Sequence, residues 1–242
     1  LQSLISGTPA EQLQLVLLDF KAGSCLSAFA ANPSTVGFLT DLEPQRLDEF
    51  LSEIERRTVE RETILAGQNA ASIGDYLARG GRLPFILIVV DEFSALISRS
   101  NRVLQLFEAL AARGRSLGIH LIITTQGLQG IPRSLISNLK ARLLLGNWDP
   151  VDLAQLGATA KPKTLPQLPE GWAASLLIIP QQPVREFWFP LAMPTVQKGS
   201  LLEDRMLDQL LVSPSDPGGY SHQEPVPHRD RKQLANLDWR LP

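Results

Sequence analysis

Apolar and polar positions recur along this chain in two different periods, and the switching between them predicts an α/β fold. Leu13 to Phe20 (LQLVLLDF), Phe85 to Val90 (FILIVV) and Ile119 to Thr125 (IHLIITT) are short apolar runs bounded by polar residues, the latter two rich in β-branched residues. Runs of this length and make-up read as strands buried on both faces of a parallel sheet. Between them the spacing lengthens. From Pro44 to about Ala66, the apolar residues Leu47, Phe50, Leu51, Ile54 and Leu65 recur at helical spacing, with Glu53, Arg56, Arg57 and Glu60 between them. That is an amphipathic helix, ended by Gly67. Val103 to Arg115 repeats the pattern with Leu106, Phe107 and Leu110, and Gly118 stops it.

Weaker signals fill the intervals. Leu1 to Ile5 reads as the tail of a helix, Ala22 to Ser24 as a turn, Leu26 to Ala31 as a short helix and Val36 to Leu39 as a short strand. Helices are expected at Ser72 to Arg79, Pro132 to Leu139 and Pro150 to Leu156, and a strand at Ala141 to Leu145. Leu176 to Ile179 and Val184 to Phe189 suggest an antiparallel pair around Pro180 to Pro183. Strands alternating with helices at these distances argue for a doubly wound, mostly parallel sheet flanked by helices.

Composition narrows the picture in two places. With 242 residues, 44% of them hydrophobic, the chain has ample core for one large domain. Near Ser213 the sequence turns to SPSDPGGYSHQEPVPHRDRK, too poor in apolar residues to build a core. The expected division is a domain over residues 1–190 and a partly flexible extension over residues 191–242. Lys and Arg total 23 against 25 for Asp and Glu, so bulk charge gives no support for nucleic-acid binding. Cys25 is the single cysteine, which excludes an internal disulfide and fits a reducing compartment. His120, His222 and His228 make no metal-ligand spacing with it. No apolar run has the length of a membrane span, and no signal peptide is visible.

The candidate chemistry sits where the strand over Phe85 to Val90 ends in Asp91 and Glu92. Open α/β sheets bind ligands at the carboxyl ends of their strands. In a nucleoside triphosphatase the first acid would hold Mg²⁺ and the second would orient the attacking water. The plainer reading is that both acids open a helix, whose N-terminus favours negative charge. Asp19 and Lys21 close the neighbouring strand and are candidates for supporting a nucleotide, or an ordinary loop pair. His120 lies between apolar residues and reads as a core or edge histidine.

Several segments together resemble the FtsK/SpoIIIE family of ring-forming motor ATPases. They are LLDFKAG (Leu17 to Gly23), IERR (Ile54 to Arg57), ASIGDY (Ala71 to Tyr76), VVDEF (Val89 to Phe93) and ARGRSLGIHLIITTQ (Ala112 to Gln126), in family order. The DFK-x-G turn, ASIxDY and GRSLGIH are most similar to the EccC-like modules of type VII secretion. The resemblance covers about residues 1–180 and implies a RecA-like P-loop NTPase core. It further implies ATP and Mg²⁺ as cofactors, with Asp91 holding the metal and Glu92 as the catalytic carboxylate. Gln126 matches the position that senses the γ-phosphate, beside Thr125 as a nucleotide contact. Arg115 matches the arginine finger, with Arg113 one turn away as the alternative. Asp19 and Lys21 become nucleotide-site residues. A hexameric ring or tandem modules would share sites between neighbours, work at the cytoplasmic face of the bacterial inner membrane, and be anchored through other domains.

The same resemblance marks departures. The family's phosphate-cradling loop, G-x-x-x-x-G-K-[ST], occurs nowhere in the sequence. The expectation is a core truncated just after that loop, consistent with a first residue that is Leu1. Such a core would have an empty central sheet position, weak or lost nucleotide binding and no activity on its own. Gly127 stands where the family has Arg-Pro, and Ala22 replaces a Gly. Three functions follow. The favoured one is an ATPase module powering export of a secreted protein. The others are a translocase module for double-stranded DNA, and a non-hydrolysing docking module that binds a peptide.

Overall fold

Asp19 and Asp91 lie side by side at the carboxyl edge of a four-stranded parallel sheet, and the sheet's register explains why. In the computed structural model, residues 1–21, 25–145, 150–157, 172–179, 181–182 and 184–190 are described. Strands β1 (Leu13–Asp19), β2 (Thr35–Thr40), β3 (Phe85–Asp91) and β4 (Ile119–Ile123) pair in the order β2-β1-β3-β4. Thr40, Asp19 and Asp91 share one register row, and Val90 is level with Ile123. All four strands therefore end together, at one polar rim.

Alternation along the strands splits the core into two layers. Val16, Leu18, Ile86, Ile88 and Val90 belong to a cluster with Leu47, Leu51, Ile54 and Leu65 of helix α2 (Leu47–Gly67). Val103, Leu106, Phe107, Leu110 and Leu117 of α5 (Asn101–Leu117) join it. Leu13, Leu15, Leu17, Leu87 and Val89 form the second cluster with Leu26, and Leu1 and Ile5 of the α1 region (Gln2–Gly7) pack against it. Both faces are covered, as the continuous apolar runs of β1 and β3 require.

The remaining helices have local causes. The serine of the ASIGDY segment is the N-cap of α3 (Ile73–Ala78): Ser72 Oγ accepts the N–H of Asp75, and the Asp75 carboxylate accepts the N–H of Ala71. In the IERR segment Ile54 faces the core, while Arg56 and Arg57 pair with Glu53 just before it at 2.8 Å and 2.7 Å. Surface pairs of this kind contribute little to stability. Helix α4 (Phe93–Ile97) starts directly after Glu92, where the plainer reading of the two acids puts a helix. The first turn of the helix expected from Pro44 is a 3₁₀ turn, Pro44–Arg46, and the short helix expected at Leu26 to Ala31 reduces to the 3₁₀ turn Ser27–Phe29.

One expectation is corrected. The described strands form two sheets rather than one: β5 (Arg142–Leu145), β6 (Trp172–Ile178) and β7 (Arg185–Pro190) make a separate antiparallel sheet in the order β5-β6-β7. The reason is the outer edge of β4, which no described strand pairs with. Leu144, Leu176 and Ile178 still reach the larger apolar cluster, together with Leu135 and Ile136 of α6 (Arg133–Asn138). Leu153 of α7 (Pro150–Gln155) does so as well. The turn expected at Ala22 to Ser24 and the extension expected over residues 191–242 lie outside the described residues.

Candidate functional site

At the carboxyl rim the two aspartates do different work. Asp19 is fully buried, and its carboxylate accepts the N–H groups of Lys21 (3.2 Å), Cys25 (3.0 Å) and Leu26 (2.9 Å). Hydrogen bonds to an ionised acceptor are among the stronger kind, so they hold the backbone of Lys21, Cys25 and Leu26 at the strand end. Asp19 thus serves the nucleotide-site reading indirectly, by shaping the loop that begins with exposed Lys21.

Asp91 and Glu92 are tied together by a residue the sequence analysis did not single out for chemistry. Thr124, next after β4, donates its hydroxyl to Asp91 Oδ1 at 2.6 Å and accepts the N–H of Glu92 at 3.1 Å. Its own N–H and C=O continue the ladder, to Val90 O at 2.9 Å and from Phe93 N at 2.8 Å. Glu92 adopts φ 61° and ψ 67°, the left-handed region. For a residue with a Cβ that conformation costs about 1–2 kcal/mol, and such strain collects at functional sites. Glu92 also precedes α4, so the acids do open a helix, although the Glu92 side chain makes no cap bond. That carboxylate instead accepts a hydrogen bond from Ser94 Oγ. Ser94 Oγ lies 3.2 Å from Thr125 Oγ1, which donates to Gly127 O at 2.7 Å. Gln126 is exposed between them.

The field at this rim is negative. The Cys25 thiol is pushed up by burial and then by the carboxylates of Asp91 and Asp19, with Lys21 opposing. A phosphate would be repelled there unless a cation came with it. No cage of three or more His, Cys, Asp or Glu side chains occurs among the described residues. One carboxylate fixed by a threonine suits Mg²⁺, which keeps several waters and takes phosphate oxygens as its other ligands.

Arg115 is elsewhere. It is exposed in the last turn of α5, which leads into the amino end of β4. The five residues of β4 put about 17 Å between the two rims at ~3.3 Å each. Arg113 in the same turn pairs with Glu62 at 3.1 Å on the surface. Beneath this turn lies buried Arg61, which donates to the carbonyls of Leu117 (2.9 Å) and Pro84. Burial, helped by the nearby Arg57 charge, brings the Arg61 pKa down to about 10. Gly114 is needed here too, because a Cβ at that position would lie 2.8 Å from Ile119 O.

No family model matches the chain. Among curated proteins it is 32% identical over 172 residues to the ESX-4 secretion system protein EccC4 of Mycobacterium tuberculosis, covering 66% of this chain and 14% of that protein. With the ESX-1 secretion system protein EccCa1 of Mycobacterium tuberculosis it shares 33% identity over 147 residues, 52% of this chain and 19% of that protein. The cytoplasmic domain of the Thermomonospora curvata type VII secretion ATPase EccC superposes with a TM-score of 0.69 at 27% identity, covering 88% of this chain and 26% of that one. The chain is thus similar, in sequence and in fold, to EccC proteins of type VII secretion systems. It spans less than a fifth of the length of these two curated EccC relatives. The expected α/β, RecA-like class holds in the parallel four-stranded sheet flanked by helices.

Within this chain, the structure brings Asp91, Glu92, Thr125 and the loop of Gln126 to one rim, joined by Thr124 and Ser94. Asp19 and Lys21 border it across β1. Arg115 and Arg113 are left at the other rim. His120 is half-buried with its ring 5.8 Å from Phe85, and its pKa is lowered by burial and then by Arg115. That is the packed edge histidine the sequence suggests. The signal for Thr124 and Ser94 was present as a hydroxyl residue at the end of the neighbouring strand and another two positions after Glu92. Only the strand order assigns them a role.

Proposed function

We propose that this chain is an ATP-hydrolysing module of a type VII secretion translocase, coupling Mg²⁺-dependent hydrolysis to movement of a secreted protein. The observation that carries the reading is the Thr124 hydroxyl bonded to Asp91 and to the Glu92 N–H at the carboxyl rim of a parallel sheet. Asp91 would hold a Mg²⁺ ion, whose chemistry there would be neutralisation of phosphate charge. Thr124 fixes the rotation of the Asp91 carboxylate toward such a ligand. Glu92 orients a water for attack on the γ-phosphorus and takes its proton as the bond to the nucleoside diphosphate breaks. Thr125 and Gln126 follow β4 on the side where that phosphate would lie, and an amide there can bond both a phosphate oxygen and the water. Lys21 borders the rim as a cation.

Arg115, about one strand length from Glu92 of its own chain, is suited to a neighbour's site. This favours a ring or a tandem array, in which each module completes the next, over a lone module. The 242 residues contain no phosphate-cradling loop. The outer edge of β4, beside the strand bearing Asp91, is where a further parallel strand carrying one would join.

The test is ATP turnover with Mg²⁺ in the longest native form of the protein, beside Glu92→Gln. The expected result is turnover that Glu92→Gln lowers at least about 100-fold while nucleotide binding is retained. If neither form binds ATP at concentrations that allow rings to assemble, the reading fails and peptide docking without hydrolysis replaces it. A relative has been solved in complex with a signal sequence peptide, the Thermomonospora curvata EccC ATPases 2 and 3. Association with a secreted substrate, rather than salt-sensitive binding to duplex DNA, separates the export and DNA-pumping readings.

A further inference from the structure

A glutamate that acts as a base hangs from its backbone by rotatable bonds, each with several wells. It is placed only as well as its two ends are held. A proton acceptor must come within hydrogen-bond reach of the water it activates, and a misplacement of about 1 Å can cost about 100-fold in rate. The main-chain end of Glu92 is held on both sides. Its N–H donates to Thr124 Oγ1 at 3.1 Å, and its C=O accepts the N–H groups of Ala95 at 3.1 Å and Leu96 at 3.3 Å. Among the described residues, the carboxylate end has one protein partner, the hydroxyl of Ser94 on Oε1.

Ser94 is itself placed by the core. Its neighbours on α4, Phe93 and Leu96, are fully buried, and the Phe93 ring lies 5.1 Å from that of Phe107 on α5. The serine proton has two acceptors in reach, Glu92 Oε1 and Thr125 Oγ1, the latter 3.2 Å away. A charged acceptor makes the stronger bond, so the proton goes to Glu92. Thr125 spends its own proton on Gly127 O at 2.7 Å, and both donors are satisfied at once. Nor is the serine bond a helix cap. It joins two side chains, and the Glu92 carboxylate satisfies no backbone N–H at the start of α4. Its effect falls on where the carboxylate stands.

We propose that Ser94 is a positioning residue for Glu92, holding Oε1 so that Oε2 is the oxygen that takes the proton of the attacking water. The inference rests on the hydrolytic reading above. Two separate supports then fix the base: β4 holds its main chain through Thr124, and the core-anchored α4 holds its carboxylate through Ser94. A group arranged in advance in this way needs no reorganisation at the moment of reaction.

Mg²⁺–ATP turnover in the longest native form of the protein, measured together with ATP binding, tests this. Ser94→Ala is expected to lower kcat about tenfold, with KM and the binding constant for ATP changed less than about twofold. Ser94→Cys, close in size but a weak donor, should fall with it, and Ser94→Thr, which keeps the hydroxyl, should recover turnover to within about threefold of the unaltered protein. In a Glu92→Gln background, adding Ser94→Ala should alter the residual rate less than about twofold, because the base it positions is gone. An equal loss in both backgrounds would mean that Ser94 does not act through Glu92, and the proposal would be overturned. So would an unchanged or raised kcat in Ser94→Ala, a loss that Ser94→Thr does not recover, or weaker ATP binding with kcat intact. Each of these leaves the hydrolytic reading standing. Absence of any Glu92-dependent turnover in the unaltered protein is a different result, and it overturns that reading and the role of Ser94 together.

Discussion

The two rims of the parallel sheet are organised by opposite uses of polar groups. At the amino rim one cation, Arg61, is buried and donates to the carbonyls of Leu117 and Pro84, locking α5, the start of β4 and the entry to β3 into one arrangement. Close packing reinforces it, since Gly114 admits Ile119 O where no side chain would fit. At the carboxyl rim the side chains of Asp91, Glu92, Ser94, Thr124 and Thr125 bond mainly one another, half-exposed, with Glu92 in a left-handed turn. The first rim spends its polar groups on fixing backbone. The second keeps them on side chains that can exchange partners, as a reaction site needs.

Removing the amino-rim cation should give the largest change in stability. Arg61→Met leaves two buried carbonyls unsatisfied and is expected to cost about 3 kcal/mol in denaturant unfolding, while the hydroxyl contacts of the other rim persist. A cost below about 0.5 kcal/mol would erase the distinction drawn between the rims. Thr124→Val should do the reverse. It deletes the donor to Asp91 and the acceptor for Glu92 N–H, so turnover in the native protein should fall about tenfold or more with little change in unfolding. The comparison breaks if Thr124→Val unfolds the chain as far as Arg61→Met does.

The smallest effect concerns pH. His120 is neutral in the fold because burial, then Arg115, lowers its pKa from the ordinary 6.5. The unfolded chain therefore binds the proton first as pH falls. The histidine's contribution is full above 6.5 and is lost as pH drops through the lower folded value. Stability measured at pH 7.5 and 5.5 should fall more in the native chain than in His120→Phe. Equal slopes would mean that the strand leaves His120 open to water.

How much of this was legible in the sequence follows from the same contrast. The strands announced themselves because β1 and β3 are buried on both faces, and the alternating charges of α2 marked its outer side. Asp91 and Glu92 could be read because a carboxylate pair stands out at the end of an apolar run. Thr124 could not, since its importance comes from β4 lying beside β3, and strand order is not written in spacing. The partners of Asp19 were hidden for a related reason: nothing in the spacing says that its carboxylate accepts the N–H groups of Lys21, Cys25 and Leu26. Arg61 sat unnoticed among the charges of α2, because burial of one arginine in an amphipathic helix leaves no mark on the pattern. The single sheet expected from strand–helix alternation failed at β4, where local pairing stops.

That outer edge of β4 also bears on how the chain behaves before it finds its neighbours. Its backbone groups point away from β3 with no described strand to receive them, and Ile122 beside them is 40% exposed. Its sequence, IHLII, holds no formal charge and no proline, the two devices by which natural edge strands resist sticking to one another. Left uncovered, such an edge is a template for pairing with another chain. The strand that leads into Thr124 and Thr125 thus carries both the approach to the candidate site and an edge that asks for a covering strand.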